Sequence, residues 1–180
     1  MRQIHLILGP VTLVLFLLQC KTKDEIVSLE EYNGPVVEAR DVLTYYSDSA
    51  VVKLKLEADK QLEFDNGDRE FPEGLYLEFY ERDGSTSSTM RCDYCYYTKK
   101  ENLYKATGNV IIKGIKNDEQ LNTEELFWNQ KKETIFTDKF VRIEKDGEIH
   151  MGDGLEAKQD FSEYSILKSR GSIILEEDNP

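Results

Sequence analysis

Histidine, cysteine, proline and basic side chains are all scarce here, and each shortage removes a class of function. Of the two histidines, His5 falls in the apolar N-terminal run, which leaves His150 alone in the remaining chain. A solitary imidazole supplies neither a metal ligand set nor a Ser-His-Asp relay. There is no Gly-rich phosphate loop and no basic patch interleaved with aromatics. Four prolines and eleven glycines in 180 residues exclude collagen-like and linker-like chains. The 23 Lys and Arg are outnumbered by 35 Asp and Glu, for a net charge of −12. Such a chain has no counterion-release drive toward nucleic acid, so no nucleic-acid partner is expected. Its acidity also disfavours loose docking on anionic lipid, so membrane contact should come through the N-terminus. Carboxylates are plentiful, yet no pattern sets two of them across a cleft as glycoside hydrolysis requires. The acidic end Glu176-Glu177-Asp178 reads as a solvated terminus. No catalytic residue, metal site or cofactor is expected, and the chain does not read as an enzyme.

A membrane-spanning run is missing as well. From Ile4 to Leu18 the only residue that can carry charge is His5, but Gly9-Pro10 interrupts the run and it ends at Cys20. A span needs about 20 apolar residues. One positive charge at Arg2, a short apolar stretch and an abrupt polar switch describe a secretory signal. A Cys directly after that stretch resembles a bacterial lipoprotein signal, which would make Cys20 the lipidation site. Leu17 at −3 fits that pattern, whereas Gln19 stands at −1 where a small residue is usual. Three outcomes stay open: a lipidated Cys20, an uncleaved anchor, or a plain cleaved signal. Each exports the remainder of the chain.

With Cys20 assigned to the signal, Cys92 and Cys95 remain, as Cys-Asp-Tyr-Cys. Such a pair can be redox-active or half a metal site. A redox pair wants its first thiol at a helix N-terminus. Here Met90-Arg91 and Tyr94, Tyr96 and Tyr97 read as strand. Residues three apart on a regular strand face opposite ways, so both thiols are expected as small core residues and not as a bridge.

What the sequence has in quantity is strand-forming material: ten Tyr, eight Phe, 39% hydrophobic residues overall. That is enough for one domain with a real core and argues against disorder. Val52, Leu54 and Leu56 alternate with lysines, and Leu75, Leu77 and Phe79 with Tyr76, Glu78 and Tyr80. Val110 and Ile112, then Val141 and Ile143, repeat the pattern. Period two with one apolar face predicts strands. Between the runs lie Asp65-Asn66-Gly67-Asp68, Asp83-Gly84, Lys116-Asn117-Asp118 and Asp146-Gly147, all hairpin chemistry. Spacings of about a dozen residues leave no room for parallel crossovers.

Stacking the segments reveals a repeat. Met90 to Tyr97 followed by Ala106 to Ile112 is echoed by Leu121 to Trp128 followed by Thr137 to Ile143, each half displaced by 31 residues (92 to 123, 110 to 141). A looser third copy runs His150 to Ala157, then Arg170 to Leu175. Each copy holds a small residue, an apolar residue three positions later, a hairpin, and a β-branched strand. One unit cannot bury its apolar face alone, so the units must stack around a shared interior.

Those residues carry a resemblance. Ala106-Thr107-Gly108-Asn109-Val110 is similar to the A-x-G-N-V signature of the lipopolysaccharide-transport jelly-roll superfamily. Tyr45-Tyr46-Ser47-Asp48-Ser49, Phe71-Pro72-Glu73-Gly74-Leu75, Leu121 to Trp128 and Gly152-Asp153-Gly154-Leu155-Glu156-Ala157 follow in the order seen in LptC proteins. The similarity covers roughly residues 35 to 175. It implies an all-β fold, a twisted open antiparallel β-jelly roll or slide-like half-barrel over 35–180, after a signal or anchor at 1–19 and a tether at 20–34. It also implies a periplasmic, inner-membrane-tethered component of a Gram-negative bacterium. Such a protein takes lipopolysaccharide from an inner-membrane ABC transporter and passes it to a bridging LptA-like jelly-roll protein. On that reading the inward set Val52, Leu54, Leu56, Leu75, Leu77, Phe79, Val110, Ile112, Val141 and Ile143 is the lipid-binding surface. Trp128 reads as a packed aromatic, and Gly108-Asn109 as turn chemistry ahead of a strand. Glu124-Glu125 is expected beside a turn. The alternative is a structural or adhesive envelope lipoprotein with no lipid cargo.

Overall fold

The structure is a computed structural model, and it describes residues 32–115 and 118–174, with side chains through residue 171. The signal or anchor segment, Cys20, most of the tether, the Lys116-Asn117 turn and Leu175 lie outside the described residues. Among the described residues, no helix is long and apolar enough to cross a membrane.

Eleven strands are described: β1 (Val37–Asp48), β2 (Val51–Glu63), β3 (Arg69–Phe71), β4 (Leu75–Tyr80), β5 (Thr86–Cys92), β6 (Tyr94–Thr98), β7 (Leu103–Gly114), β8 (Glu119–Asn129), β9 (Thr134–Lys145), β10 (Glu148–Lys158) and β11 (Tyr164–Ile174). All pairings are antiparallel. β3 with β4, and β5 with β6, are halves of two interrupted strands. β2 pairs with both β3 and β4 along one edge, and β7 with both β5 and β6. The chain is therefore an up-and-down meander in which each strand lies beside its sequence neighbours. Local turn chemistry drives this order. Asp146 and Gly147 both adopt positive φ (52° and 75°) between paired Lys145 and Glu148, the signature of a two-residue hairpin. Ser49 and Ala50 do the same (51° and 63°) between Asp48 and Val51, with no glycine to announce it.

Nearly every pass is broken near its middle. The interruptions fall at Pro72 to Gly74, at Asp93, at Gly108-Asn109, between Thr123 and Phe127, and between Asp153 and Leu155. Side by side these form a seam across the sheet. At each break an inserted residue re-aims the strand, so the same face stays inward on both sides. Cys92 and Cys95, Thr123 and Leu126, and Gly152 and Leu155 are each three apart and all buried. The spacing of three in the repeat is this bulge, seen in sequence.

Along the seam the sheet folds back on itself. Phe79 belongs to the row Leu54–Phe79–Ser88–Gly114, at one end of the strands. Trp128 belongs to the row Tyr104–Trp128–Ile135, at the other. Their rings nonetheless meet edge-to-face at 5.5 Å. Ser88 Oγ likewise donates to the carbonyl of Gln159, past the far end of β10, at 3.3 Å. The result is an all-β jelly roll of two facing layers, each strand contributing a half to either layer. The β10–β11 connection lies over the side opposite the seam. There Phe161 is buried against Gly114 and stacks on Tyr164 at 5.0 Å.

Candidate functional site

The two layers enclose one continuous apolar interior. β4 illustrates how the sequence builds it: Leu75, Leu77 and Phe79 are buried, while Tyr76, Glu78 and Tyr80 face outward. The outward residues make their own links. Lys55 Nζ pairs with Glu78 at 3.0 Å across the β2–β4 ladder and with Glu57 of its own strand at 3.1 Å. The Thr86 hydroxyl donates to Glu78 at 2.7 Å, and with Lys55 it holds that carboxyl below its ordinary range.

Of the ten residues expected to face inward, nine are buried in the core: Leu54, Leu56, Leu75, Leu77, Phe79, Val110, Ile112, Val141 and Ile143. Val52 is not, being 39% exposed. Its parity matches Leu54, but β4 pairs with β2 only from Leu54 to Glu57, so nothing covers the start of β2. Trp128 is a packed aromatic, stacked on Tyr104 at 4.7 Å, and its Nε1 donates to Gln159 Oε1 at 3.0 Å. Gly108 and Asn109 stand within β7 and not ahead of a strand. Both adopt positive φ (74° and 45°), and Asn109 Nδ2 donates to Asp93 Oδ2 at 2.6 Å, tying two breaks of the seam together. Glu124-Glu125 occupy a mid-strand break and not a turn, where Glu125 pairs with Lys105 at 2.8 Å. The cysteines are buried and unbridged as expected, but their facing differs. The break at Asp93 turns both Cys92 and Cys95 into the core, as free thiols, so they share a face. The side chains are close enough to hydrogen-bond, which together with burial pushes the Cys95 thiol well up.

Sequence reasoning missed much of the second layer: Phe71, Tyr104, Leu126, Ile135 and Leu155 are all buried. The alternation in Leu103 to Ala106 was available as a signal. The others sit beside breaks, where simple period two fails. Sequence reasoning also missed Arg69, whose guanidinium lies over the Tyr97 ring at 4.4 Å.

Polar side chains inside serve the backbone. Thr123 Oγ1 donates to the carbonyl of Phe140 at 2.8 Å, and Thr137 Oγ1 accepts from the Lys139 amide at 3.1 Å. Both satisfy backbone groups released by the breaks. What the interior can do is hold apolar matter away from water, at about 0.8 kcal/mol per buried methylene.

No curated protein is significantly similar to the chain. The sequence matches the family model of lipopolysaccharide-assembly, LptC-related proteins over residues 14–173. That span takes in all eleven strands except the last residue of β11. The chain belongs to the LptC-related family and is a component of lipopolysaccharide export at the bacterial envelope.

Proposed function

We propose that the chain is a non-catalytic carrier that accepts lipopolysaccharide from the inner-membrane ABC transporter and passes it to a bridging LptA-like jelly roll. The observation that carries this reading is the interior itself, apolar across every pass and ending at strands with a free edge. Among the described residues β1 pairs only with β2, and β11 only with β10, so each offers a row of backbone groups to an added strand. Strand addition at either end extends one interior into the next. The edge strand β11 is the side for the bridging protein; deleting Glu163 to Pro180 abolishes that contact, and retained binding refutes the assignment. Tethering to the inner membrane falls to the N-terminus, through lipidation of Cys20 or an uncleaved anchor.

One observation favours the second reading, an adhesive or structural envelope lipoprotein without cargo. The interior is packed shut, with Leu77, Val110, Val141 and Ile143 fully buried. For a carrier the layers must part. The side opposite the seam is where they do so, because the contacts holding it are the Ser88–Gln159 and Trp128–Gln159 hydrogen bonds and the Phe161 plug. Photocrosslinking in whole cells separates the two. Probes at Phe79, Ile112 and Ile143 should capture lipopolysaccharide, while probes at Lys53 and Arg142 should not. No adduct at any inward position, with the transporter active, establishes the cargo-free reading.

A further inference from the structure

At the β1 end of the interior stands a charge with no counter-ion among the described residues. Arg69, on β3, is half-buried and points inward rather than to solvent. Its Nη1 donates to the Tyr46 hydroxyl of β1 and its Nη2 to the Tyr104 hydroxyl of β7, each at 3.2 Å. Its plane lies over Tyr97 of β6. Tyr46 belongs to the Leu54 row of the first layer and Arg69 to the second, so the Tyr46–Arg69 bond crosses the interior and closes that end. None of the ion pairs among the described residues includes Arg69. Glu63 is directly across the ladder from it and forms no pair with it.

Donors outnumber acceptors here. A guanidinium has five N–H donors and no acceptor, and two of its donors go to phenol hydroxyls. Burial holds the Tyr104 phenol protonated, pushing its pKa up, so no phenolate balances the charge. The Tyr104 hydroxyl also hydrogen-bonds that of Tyr46, which leaves one O–H of the pair to give. The Tyr97 hydroxyl is already spent on Asn102 Oδ1 at 3.0 Å. A cation partly withdrawn from water without an anion bears part of the desolvation cost, and an incoming oxyanion offsets it. Donors converge from both layers, a planar fork on one side and a phenol on the other. That arrangement fits a tetrahedral phosphate, with three acceptor oxygens, better than a flat carboxylate.

We propose that Arg69, with Tyr46 and Tyr104, is a recognition site for the phosphomonoester group of an amphiphile whose tail lies in the apolar interior. This rests on the carrier reading above and adds to it: the cluster would select the headgroup, and the β1 end would be where that headgroup sits. Breaking the Tyr46–Arg69 bond on binding would open the same end of the interior.

The test is calorimetric titration of the purified full chain with dodecyl phosphate, with dodecyl maltoside as a neutral amphiphile of equal tail, and with inorganic phosphate. Charge-assisted hydrogen bonds of this kind make dodecyl phosphate bind about tenfold or more tighter than dodecyl maltoside. R69Q should abolish that preference, so that the two amphiphiles bind with equal affinity. Y46F keeps the ring and removes one hydroxyl, and should reduce the preference by about threefold even if R69Q does not fold. Equal binding of the two amphiphiles by the unmodified chain overturns the headgroup site and leaves the carrier standing. Inorganic phosphate binding as tightly as dodecyl phosphate overturns the amphiphile assignment in favour of free phosphate. Failure of both amphiphiles to bind overturns the carrier reading, and the headgroup site with it.

Discussion

Substituting Gly152 by alanine tests the seam at its most crowded point. A Cβ built there would lie 2.5 Å from the carbonyl oxygen of Lys168 and would also collide with Ile166 Cγ2. The isoleucine methyl can rotate away. The carbonyl cannot, because it belongs to β11, whose register against β10 shifts at this very position. Ordinary carbon–oxygen contact needs roughly 0.7 Å more, so β11 must slide or peel. Forced overpacking of this sort costs about 1–3 kcal/mol, and the rigid partner puts Gly152→Ala near the top of that range. For a domain of this size the loss lowers Tm by roughly 4–10 °C. Urea denaturation gives the free energy, and amide exchange gives its location. Among the described residues β11 is paired along one edge only, so protection should fall around Ile166 to Arg170 and remain in β2 and β4. Gly147→Ala is the control. Unlike Gly152 its site has positive φ, at 75°, and an added Cβ meets no atom within 4 Å, so only the backbone strain of about 1 kcal/mol applies. A Gly152→Ala protein no less stable than Gly147→Ala, with β11 protection intact, would refute the packing described here.

Leu77→Ala empties a fully buried site and should cost about 2–5 kcal/mol in urea denaturation. Val52→Ala, on the uncovered start of β2, should change stability by under about 0.5 kcal/mol, and equal losses would mean the inner face is wrongly drawn. The lowered Glu78 carboxyl stabilises the fold above the unfolded value of 4.5, and that contribution is lost as pH falls through the lower folded pKa. E78Q should therefore flatten the acid side of the Tm-against-pH curve without changing its slope at neutral pH. After reduction and removal of the reductant, neither Cys92 nor Cys95 should react with an aromatic disulfide reagent until denaturant is added, because both thiols are buried. Rapid labelling of the folded protein would show that the break at Asp93 leaves them open.

Strands and hairpins were legible because their causes are local. Leu75 to Tyr80 alternates on its own account, and Asp146-Gly147 can hardly avoid a tight turn. The breaks were legible only in disguise. The spacing of three between Cys92 and Cys95 implies a change of face on a regular strand, but here it marks a bulge that keeps one face inward. What fixes that bulge is Asn109, 16 residues away on another strand, through its bond to Asp93. Val52 failed for a related reason: its parity was right, but coverage depends on how far β4 reaches. The cluster at Arg69 was invisible for a stronger reason. Its bonds to Tyr46 and Tyr104 span 23 and 35 residues and exist only because the sheet folds over.

The Gly108-Asn109 pair shows what a short motif can specify when its neighbours are known. Both residues are left-handed, a conformation that costs most L-residues about 1–2 kcal/mol and that Gly and Asn tolerate. Asn is also the residue whose side chain closes the gap to Asp93 at 2.6 Å. The two contributions separate by substitution. Asn109→Ala incurs the backbone strain and loses the hydrogen bond, the latter worth about 0.5–1 kcal/mol at an exposed site. Asn109→Gly loses the bond and relieves the strain, although glycine makes the unfolded chain looser. Stability should thus fall in the order wild type, Asn109→Gly, Asn109→Ala, with the alanine variant lower by about 1.5–3 kcal/mol in all. If glycine were as damaging as alanine, the left-handed backbone would not be what the position requires. The motif would then be held by Asp93 alone, and Asp93→Ala should reproduce the whole loss.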